Sequence, residues 1–93
     1  MMERSGDRLT VTGAMTLSVA PALLAEGTAA LTGSETVFDL AQVAEVDSSG
    51  LAVLFGWLRA AKAQGKTIRV ANPPKNLLSL AEVYGLADLL PTA

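Results

Sequence analysis

The feature that most constrains this chain is a strand–helix–strand pattern in its middle. Residues 36–40 form a mostly apolar run, residues 51–64 repeat apolar side chains at helical spacing, and residues 67–71 alternate apolar and polar side chains. Gly65 follows the helical segment, where a glycine in the left-handed conformation commonly ends a helix. Two strands joined by one helix within about 35 residues pair in parallel, with a right-handed crossover. The pattern therefore predicts a βαβ unit, the centre of an α/β fold.

Two further segments precede this unit. Residues 7–12 alternate apolar and polar side chains and predict a strand, while residues 1–4 are either a short partner strand or a loose end. A weakly amphipathic helix is expected over residues 19–32. Ser18 is its expected N-cap, and Pro21 falls in the first turn, where a missing N–H costs least.

The remaining segments complete one domain. Residues 14–17 and residues 41–45 are predicted to be connections. A last helix is expected over residues 76–84, and one of its faces carries Leu77, Leu80, Ala81 and Tyr84. The chain has no internal repeat, linker or low-complexity tract, so a single domain is predicted over residues 1–93. Its expected fold is α/β, a small mixed sheet of about four strands with helices packed against it.

Composition excludes several classes of function. The chain is 51% apolar, 17% charged and only 4% aromatic, so its core must be aliphatic. It has no cysteine and no histidine, which removes disulfides, thiolate catalysis and the commonest general base. The net charge is −2 and the basic residues are scattered, which argues against a nucleic-acid surface. No apolar run is long enough to span a membrane, and the N-terminus lacks the apolar core of a signal peptide. We therefore expect a cytosolic protein with no metal, no cofactor and no direct membrane insertion.

The junction between the first central strand and the helix carries the sequence Asp47-Ser48-Ser49-Gly50-Leu51. Backbone N–H groups at the start of a helix have no partner within it, so such a turn is either a cap or a site. In the structural interpretation, Asp47 or Ser48 caps the helix and Gly50 allows a tight turn. A catalytic serine would lack a histidine and a Gly-x-Ser-x-Gly pattern. A serine–lysine dyad stays open on composition, although no lysine lies nearby in the sequence. We expect no catalytic residue.

A third interpretation of the turn is phosphorylation of Ser48. A hydroxyl at a helix N-terminus is a good phosphate acceptor, because the helix dipole and the free N–H groups favour an added negative charge. Asp47 would repel that charge, so phosphorylation would alter any interface centred on the turn. Ser48 is therefore a candidate phosphorylation site.

The central helix has two different faces when its residues are placed at about 100° intervals. The face expected to lie on the sheet carries Leu51, Leu54, Phe55, Leu58 and Ala61. A second face carries Ala52, Gly56, Arg59 and Ala63, which are small apart from the arginine. Gly56 costs about 1 kcal/mol relative to alanine in a helix interior, so we expect a close approach there, by another element of the domain or by a partner. Trp57 lies between the faces. Core packing is its favoured interpretation, and a partner contact is the alternative.

Three stretches together resemble the STAS domain family. They are Phe38-Asp39-Leu40, then Val46-Asp47-Ser48-Ser49-Gly50-Leu51-Ala52-Val53-Leu54, and then Gly65-Lys66 before a strand. The Asp-Ser-Ser-Gly-Leu turn is the most specific part, and the resemblance covers residues 9–90. The family includes the anti-sigma factor antagonists and the cytosolic domains of sulfate transporters. Its fold, a mixed sheet with helices packed on it, agrees with the interpretation from the residues.

Within this family, the short connections and the end of the chain are more similar to the MlaB type. That ending reads Ala81-Glu82-Val83-Tyr84-Gly85-Leu86, followed by Leu89-Leu90-Pro91. The MlaB type is the small cytosolic subunit of an ABC transporter that moves phospholipid between the membranes of Gram-negative bacteria. The resemblance implies a non-enzymatic subunit that binds and supports the ATPase subunit at the cytosolic face of the inner membrane. The contact would involve Ser48, with Ser49 and Gly50 around it.

The antagonist type leads to a different expectation, in which an anti-sigma factor kinase phosphorylates Ser48 and thereby blocks partner binding. The motif does not separate the two types, because a serine at this position is the antagonist pattern and a threonine is familiar there in the MlaB type. An apolar excess in a small domain favours partner binding or self-association, so a homodimer stays open. We expect the partner-binding surface to comprise Asp47, Ser48, Ser49, Gly50, Ala52, Gly56, Arg59 and Ala63.

Overall fold

One mixed sheet with the strand order β1-β2-β3-β4 is the frame of the fold. The computed structural model describes residues 2–92. The elements in chain order are β1 (Met2–Ser5), β2 (Arg8–Met15), α1 (Ala20–Ala29), β3 (Glu35–Val46), α2 (Ser48–Ala63), β4 (Thr67–Ala71), α3 (Lys75–Val83) and a short 3-10 helix (Ala87–Leu89). A helix follows each of β2, β3 and β4, so the predicted α/β fold with four strands is confirmed.

Strand pairing confirms the central βαβ unit. β3 pairs in parallel with β4 from Glu35 to Asp39, and α2 connects the two strands. β2 is also parallel to β3, whereas β1 is antiparallel to β2 across a turn at Gly6. The N-terminal segment is therefore a partner strand rather than a loose end, and Met1 lies outside the described residues.

The core lies between one face of the sheet and the helices. Along β3, the side chains of Thr36, Phe38 and Leu40 are buried, and the residues between them belong to the other face. Trp57 of α2 is fully buried and stacks on Phe38, with ring centroids 4.1 Å apart and ring planes inclined by 6°. Its Nε1 donates a hydrogen bond to the backbone oxygen of Leu24 in α1 at 3.2 Å. The favoured interpretation of Trp57 as a core residue is therefore confirmed.

The opposite face of the sheet carries charged side chains in pairs. Arg8 of β2 binds Asp39 of β3 at 2.8 Å, and Arg69 of β4 binds Glu35 of β3 at 3.2 Å. Asn72 donates a hydrogen bond to Asp39 Oδ1 at 3.0 Å, and this bond is the largest cause that lowers the pKa of Asp39. Side chains of opposite charge therefore neutralise one another across the three adjacent strands.

The predicted connection at residues 41–45 is wrong and the one at residues 14–17 is half wrong, because the strands are longer than side-chain patterns indicate. β2 continues through Gly13 to Met15, and β3 continues through residues 41–45 to Val46. The two extensions pair with each other in parallel, with irregular register. Backbone hydrogen bonding between neighbours, rather than alternation of apolar side chains, therefore forms these ends of the strands.

The helices differ from their predicted bounds by up to three residues, since α1 ends at Ala29 rather than at residue 32 and α2 begins at Ser48 rather than at residue 51. The N-cap of α1 is Val19, which provides no side-chain cap, so Ser18 is not the N-cap that we expected. Pro21 lies in the first turn, as predicted. Gly65 and Gly85 follow α2 and α3 with φ of 68° and 71°, and both favour a helix end in the left-handed conformation. Within residues 2–92, no helix has the length and hydropathy needed to cross a membrane.

Candidate functional site

Asp47 organises the turn between β3 and α2. Its Oδ1 accepts hydrogen bonds from the backbone N–H groups of Ser49 at 2.8 Å and Gly50 at 3.4 Å, so Asp47 is the N-cap of α2. Its Oδ2 accepts from the backbone N–H of Leu17 at 3.1 Å, in the connection between β2 and α1. One carboxylate therefore satisfies the open end of α2 and holds a neighbouring loop beside it. Of the two predicted caps, Asp47 or Ser48, the structure has Asp47.

These contacts change the acidity of Asp47. Desolvation of the carboxyl group opposes the charged form and raises its pKa, but the backbone donors of Leu17, Ser49 and Gly50 favour the charged form. A side-chain hydrogen bond with Ser49 acts in the same direction, and the net result is a pKa below the ordinary value. Asp47 is therefore charged at neutral pH, and its oxygens are occupied in shaping the turn.

The two serines of the turn have different surroundings. Ser48 is the first residue of α2 and is exposed, and no hydrogen bond joins its hydroxyl to another residue within 2–92. Ser49 is half-buried, shares a hydrogen bond with Asp47 and lies toward α1. Of the two hydroxyls, that of Ser48 is therefore available to another molecule.

Gly50 is buried and is required for space rather than for conformational freedom. An added Cβ would lie 2.4 Å from the backbone oxygen of Met15 and 2.9 Å from Val46 Cγ1, at the ends of β2 and β3. Its φ is not positive, so the left-handed region plays no part here. Gly50 belongs to the packing of α2 on the sheet, and its expected place in the partner-binding surface stays a prediction.

The flank of α2 that faces α1 is closed by close contacts. An added Cβ on Gly56 would lie 2.7 Å from Leu24 Cδ1, and one on Gly27 of α1 would lie 2.2 Å from Trp57 Nε1. Both glycines are buried. The close approach expected at Gly56 is therefore made by α1 of the same domain. Gly56 is covered by Leu24 in this structure, and its expected place in the partner-binding surface stays a prediction.

The flank of α2 that faces α3 is open. A groove of about 400 Å³ lies between α2 and the segment that follows α3, and we call it the α2–α3 groove. It is lined by Ser48, Leu51, Ala52, Phe55, Arg59, Tyr84 and Leu86. Ala52 and Arg59 also line a second depression, of about 420 Å³, between α2 and α1. Ser48, Ala52 and Arg59 therefore share one exposed surface, and Ala63 is exposed farther along, at the end of α2.

Sequence patterns miss the aromatic wall of this groove. Helical periodicity groups Tyr84 with Leu77 and Ala81, which are buried, but Tyr84 is 56% exposed just beyond the end of α3. Periodicity also assigns Phe55 to the core stripe, although it is only partly buried and lines the groove. Val83, next to Tyr84, is 80% exposed. Periodicity cannot separate the edge of a core from its interior, so the sequence carried no signal that distinguishes these residues.

The arrangement is suited to recognition of another molecule. The groove combines the hydroxyls of Ser48 and Tyr84, one guanidinium and several apolar side chains, and two of its side chains are aromatic. Tyrosine and arginine are enriched among the residues that dominate protein–protein binding. Within residues 2–92, no group of three His, Cys, Asp or Glu side chains is placed to hold a metal ion.

A family model described as Mlab, STAS domain, matches residues 1–91 of the chain. This match covers nearly the whole sequence, including the Asp47 turn and the segments that form the groove. The chain therefore belongs to the STAS domain family, in its MlaB type, and the resemblance recognised in the sequence is confirmed.

Named relatives agree with this assignment. The intermembrane phospholipid transport system binding protein MlaB of Escherichia coli strain K12 is 34% identical over 89 residues, which are 95% of this chain and 91% of that protein. The protein of the same name from Haemophilus influenzae is 41% identical over 51 residues, or 55% of this chain. Those residues are 49% of the Haemophilus protein, so this match spans about half of its length.

Solved structures share the fold. The anti-sigma factor antagonist SpoIIAA in its unphosphorylated form superposes with a TM-score of 0.76 at 16% identity, covering 100% of this chain and 86% of that one. The Bacillus cell fate determinant SpoIIAA in its phosphorylated form gives a TM-score of 0.72 at 16% identity, covering 100% and 89%. At this identity the likeness establishes the fold alone.

Proposed function

We propose that this protein is a non-enzymatic accessory subunit of an ABC transporter for phospholipid trafficking, and that it binds and supports the cytosolic ATPase subunit. The sequence identity to the E. coli protein supports the first part, because that relative is named as a binding protein of an intermembrane phospholipid transport system. Its place would be the cytoplasm, at the cytosolic face of the inner membrane. It would be held there through its partner and not by direct insertion.

The exposed surface around Ser48 is the observation that carries the proposal. The free hydroxyl of Ser48 lies beside an apolar groove whose wall includes Tyr84, an aromatic side chain left 56% exposed. A small domain gains stability by burying such side chains. An aromatic side chain that stays exposed beside a groove is therefore typical of a surface that a partner covers. The proposed contact surface comprises Ser48, Ala52 and Arg59 with the groove wall, and Ala63 at its margin. Asp47 and Ser49 hold the turn in shape.

Replacing Ser48 by glutamate tests the proposal. Ser48 is exposed at the first helical position, where a carboxylate is compatible with the helix dipole, so Ser48→Glu is expected to fold normally. The added charge and bulk would block a close contact, so we expect co-purification with the ATPase subunit and stimulation of its ATP hydrolysis to be lost. Both are measured with the purified chain and the purified ATPase subunit of its own transport system.

Ser34→Glu is the matched control. Ser34 is an exposed serine just before β3, at the end of that strand opposite to Ser48, and the substitution adds the same charge. This variant should bind and stimulate the ATPase as the unmodified chain does. A Ser48→Glu protein that forms undiminished complex and supports full ATPase activity would remove the proposal.

The alternative function is an anti-sigma factor antagonist that is switched by phosphorylation of Ser48. It is supported by the exposed hydroxyl of Ser48 beside Asp47, and it is compatible with the fold that the chain shares with SpoIIAA. This function predicts a phosphate on Ser48 after incubation with an anti-sigma factor kinase and ATP, and mass spectrometry detects it. Absence of any modification with the cognate kinases of the source organism would exclude this alternative.

A further inference from the structure

We propose that residues 90–92, which we call the strap, close the outer edge of β4 and keep it from pairing with β4 of a second copy of the chain. The strap follows the 3-10 helix and lies in parallel beside β4, the edge strand. The N–H of Val70 donates a hydrogen bond to the backbone oxygen of Pro91 at 2.8 Å, and Val70 forms a parallel bridge with Thr92. These residues lie outside the α2–α3 groove, and the inference is independent of the proposed function.

The outer edge of β4 has two residues whose backbone groups point away from the sheet. In a parallel strand, the N–H and C=O groups of every second residue point to the same side. The N–H of Thr67 donates to the oxygen of Ser34 on the side of β3, so the groups of Ile68 and Val70 point to the outer edge. The strap covers Val70, whereas no hydrogen bond within residues 2–92 joins the N–H of Ile68 to another segment on that side. The strap therefore leaves one residue open, fewer than strands in proteins use to pair.

The strap ends the sheet and does not offer a new edge. Pro91 has no N–H to donate, and the N–H of Thr92 donates to the oxygen of Leu90 at 2.9 Å, within the strap. A strand laid outside the strap would find no free backbone donor at these two residues. Proline at a sheet edge and coverage by a loop both prevent edge-to-edge pairing of chains.

Leu90 anchors the strap to the core. It is only 9% exposed and belongs to the buried cluster under the helices, whereas Leu89 beside it is 59% exposed. A polar side chain at position 90 would lose its place in the core and pull the strap away from β4. The same change at position 89 would leave the strap where it is.

The two edges of the sheet are protected in different ways. β1, at the opposite edge, is only four residues long, and its Glu3 and Arg4 are exposed. A short, charged edge strand resists pairing without further cover. The outward-pointing residues of β4, Ile68 and Val70, are both apolar and β-branched, which favours a strand. Coverage by the strap is therefore the protection that β4 has.

A second copy of the chain fits the edge that release of the strap would open. Antiparallel pairing about a two-fold axis places Ile68 of one copy opposite Val70 of the other, and Arg69 opposite its own equivalent. Each Arg69 is already paired with Glu35 of β3 at 3.2 Å, which offsets the repulsion between the two guanidinium groups. Both outward residues of each β4 would then have backbone partners.

Replacing Leu90 by aspartate tests the strap. In dilute Leu90→Asp, we expect the amide of Val70 to exchange its hydrogen about tenfold faster or more than in the unmodified chain, measured by NMR. At high concentration, light scattering should show a dimer, and the amides of Ile68 and Val70 should both exchange slowly in it. The amide of Thr67 is the internal reference, because it is bonded on the side of β3 and should keep its rate.

Leu89→Asp is the matched control. It makes the same substitution at the neighbouring leucine, which is exposed and outside the core. This variant should keep the slow exchange of Val70 and stay monomeric at the concentration at which Leu90→Asp forms its dimer.

The outcomes decide the inference as follows. An unchanged Val70 amide in Leu90→Asp would mean that Leu90 does not hold the strap, and a freed Val70 amide in a chain that stays monomeric would mean that the strap guards nothing. A dimer in which the Ile68 amide still exchanges fast would pair through another surface. Each of these three results overturns the proposal. If faster exchange at Thr67 shows that Leu90→Asp disturbs the sheet, Leu90→Ala removes the same anchor without a charge, and the same amides and the same dimer decide.

Discussion

Helix α2 contacts α1 on one flank and α3 on the other, and the two contacts are built differently. Toward α1, Gly27 and Gly56 lack side chains, and Trp57 and Leu24 occupy the space beside them. Toward α3 the side chains are larger and leave a groove of about 400 Å³. Phe55, which lines this groove, is only partly buried. One flank is therefore complete within the domain, while the other retains surface that a partner can cover.

This difference changes how a row of small residues on a helix should be interpreted. Ala52, Gly56, Arg59 and Ala63 share a face, and the sequence alone permits a partner's backbone to approach there. In the folded chain, Leu24 of α1 occupies the position beside Gly56. A glycine on a helix therefore indicates a close approach that another element of the same domain can make. Large apolar side chains that remain exposed indicate a surface that the domain itself does not cover.

The largest expected change in the free energy of unfolding comes from removing an aromatic side chain on the closed flank rather than on the open flank. Trp57→Ala removes a fully buried indole, its stacking on Phe38 and its hydrogen bond to the Leu24 carbonyl. We expect the free energy of unfolding to fall by about 3–5 kcal/mol. Tyr84→Ala, on the open flank, should change it by only about 0.5 kcal/mol, because Tyr84 is 56% exposed. Urea denaturation of both variants measures this difference, and equal losses would mean that the groove is part of the core.

A smaller change in stability is expected when either glycine of the closed flank is replaced by alanine. Alanine normally stabilises a helix interior by about 1 kcal/mol relative to glycine. At Gly27 the sign should reverse, because the new Cβ would lie 2.2 Å from Trp57 Nε1, and overpacking of this kind costs about 1–3 kcal/mol.

Gly56→Ala is the matched comparison for Gly27→Ala. Its Cβ would meet the terminal Cδ1 of Leu24 at 2.7 Å, and this flexible side chain is 37% exposed and can move away. The helix gain and the displacement of Leu24 should nearly cancel, so we expect a change of less than about 1 kcal/mol. Thermal unfolding ranks the two variants. A more stable Gly27→Ala protein would contradict the close packing of α1 on α2.

The smallest effect concerns Asp47, which joins α2 to the loop before α1 through Leu17. Folding lowers the pKa of Asp47, so its charged form contributes stability that is complete above the ordinary pKa of 3.8 and is lost as the pH falls through the lower folded pKa. Asp39 contributes in the same direction. In Asp47→Asn the amide oxygen still caps the helix, but the amide nitrogen cannot accept from the Leu17 N–H, so this hydrogen bond and the contribution from the charge are absent at every pH.

Urea midpoints between about pH 5 and about pH 2.5 measure the acid dependence. We expect a shallower loss of stability toward low pH for Asp47→Asn than for the unmodified chain. Asp88→Asn makes the same change of charge at a carboxyl group that accepts no hydrogen bond within residues 2–92. An unchanged acid dependence in Asp47→Asn would mean that the backbone donors do not favour the charged carboxylate.

Much of the fold could be predicted because local patterns carry it. The spacing of Leu51, Leu54 and Ala61 predicts α2 and its buried stripe, and the Asp-Ser pair at residues 47–48 predicts a cap at this turn. The ends of β2 and β3 could not be predicted, because residues 41–45 show no alternation and are ordered by pairing with β2. The predicted N-cap of α1, Ser18, is wrong for a related reason. The backbone N–H of Val19 donates a hydrogen bond to the backbone oxygen of Thr16, and the N-cap is Val19, one residue later than predicted.

The candidate site likewise has one part that local sequence patterns predict and one part that depends on tertiary contacts. The sequence by itself determined the position of Ser48 at a helix start, because capping and helical periodicity act over a few neighbouring residues. Which flank of α2 is closed was decided by the tertiary structure, since that depends on where Leu24 and Tyr84 lie after the chain folds. Gly56 and Arg59 are three residues apart on one helix, yet the first is buried by α1 and the second remains open to a partner. Contacts between elements that are distant in the chain cause this difference in burial between Gly56 and Arg59. A local sequence pattern does not contain information about such contacts.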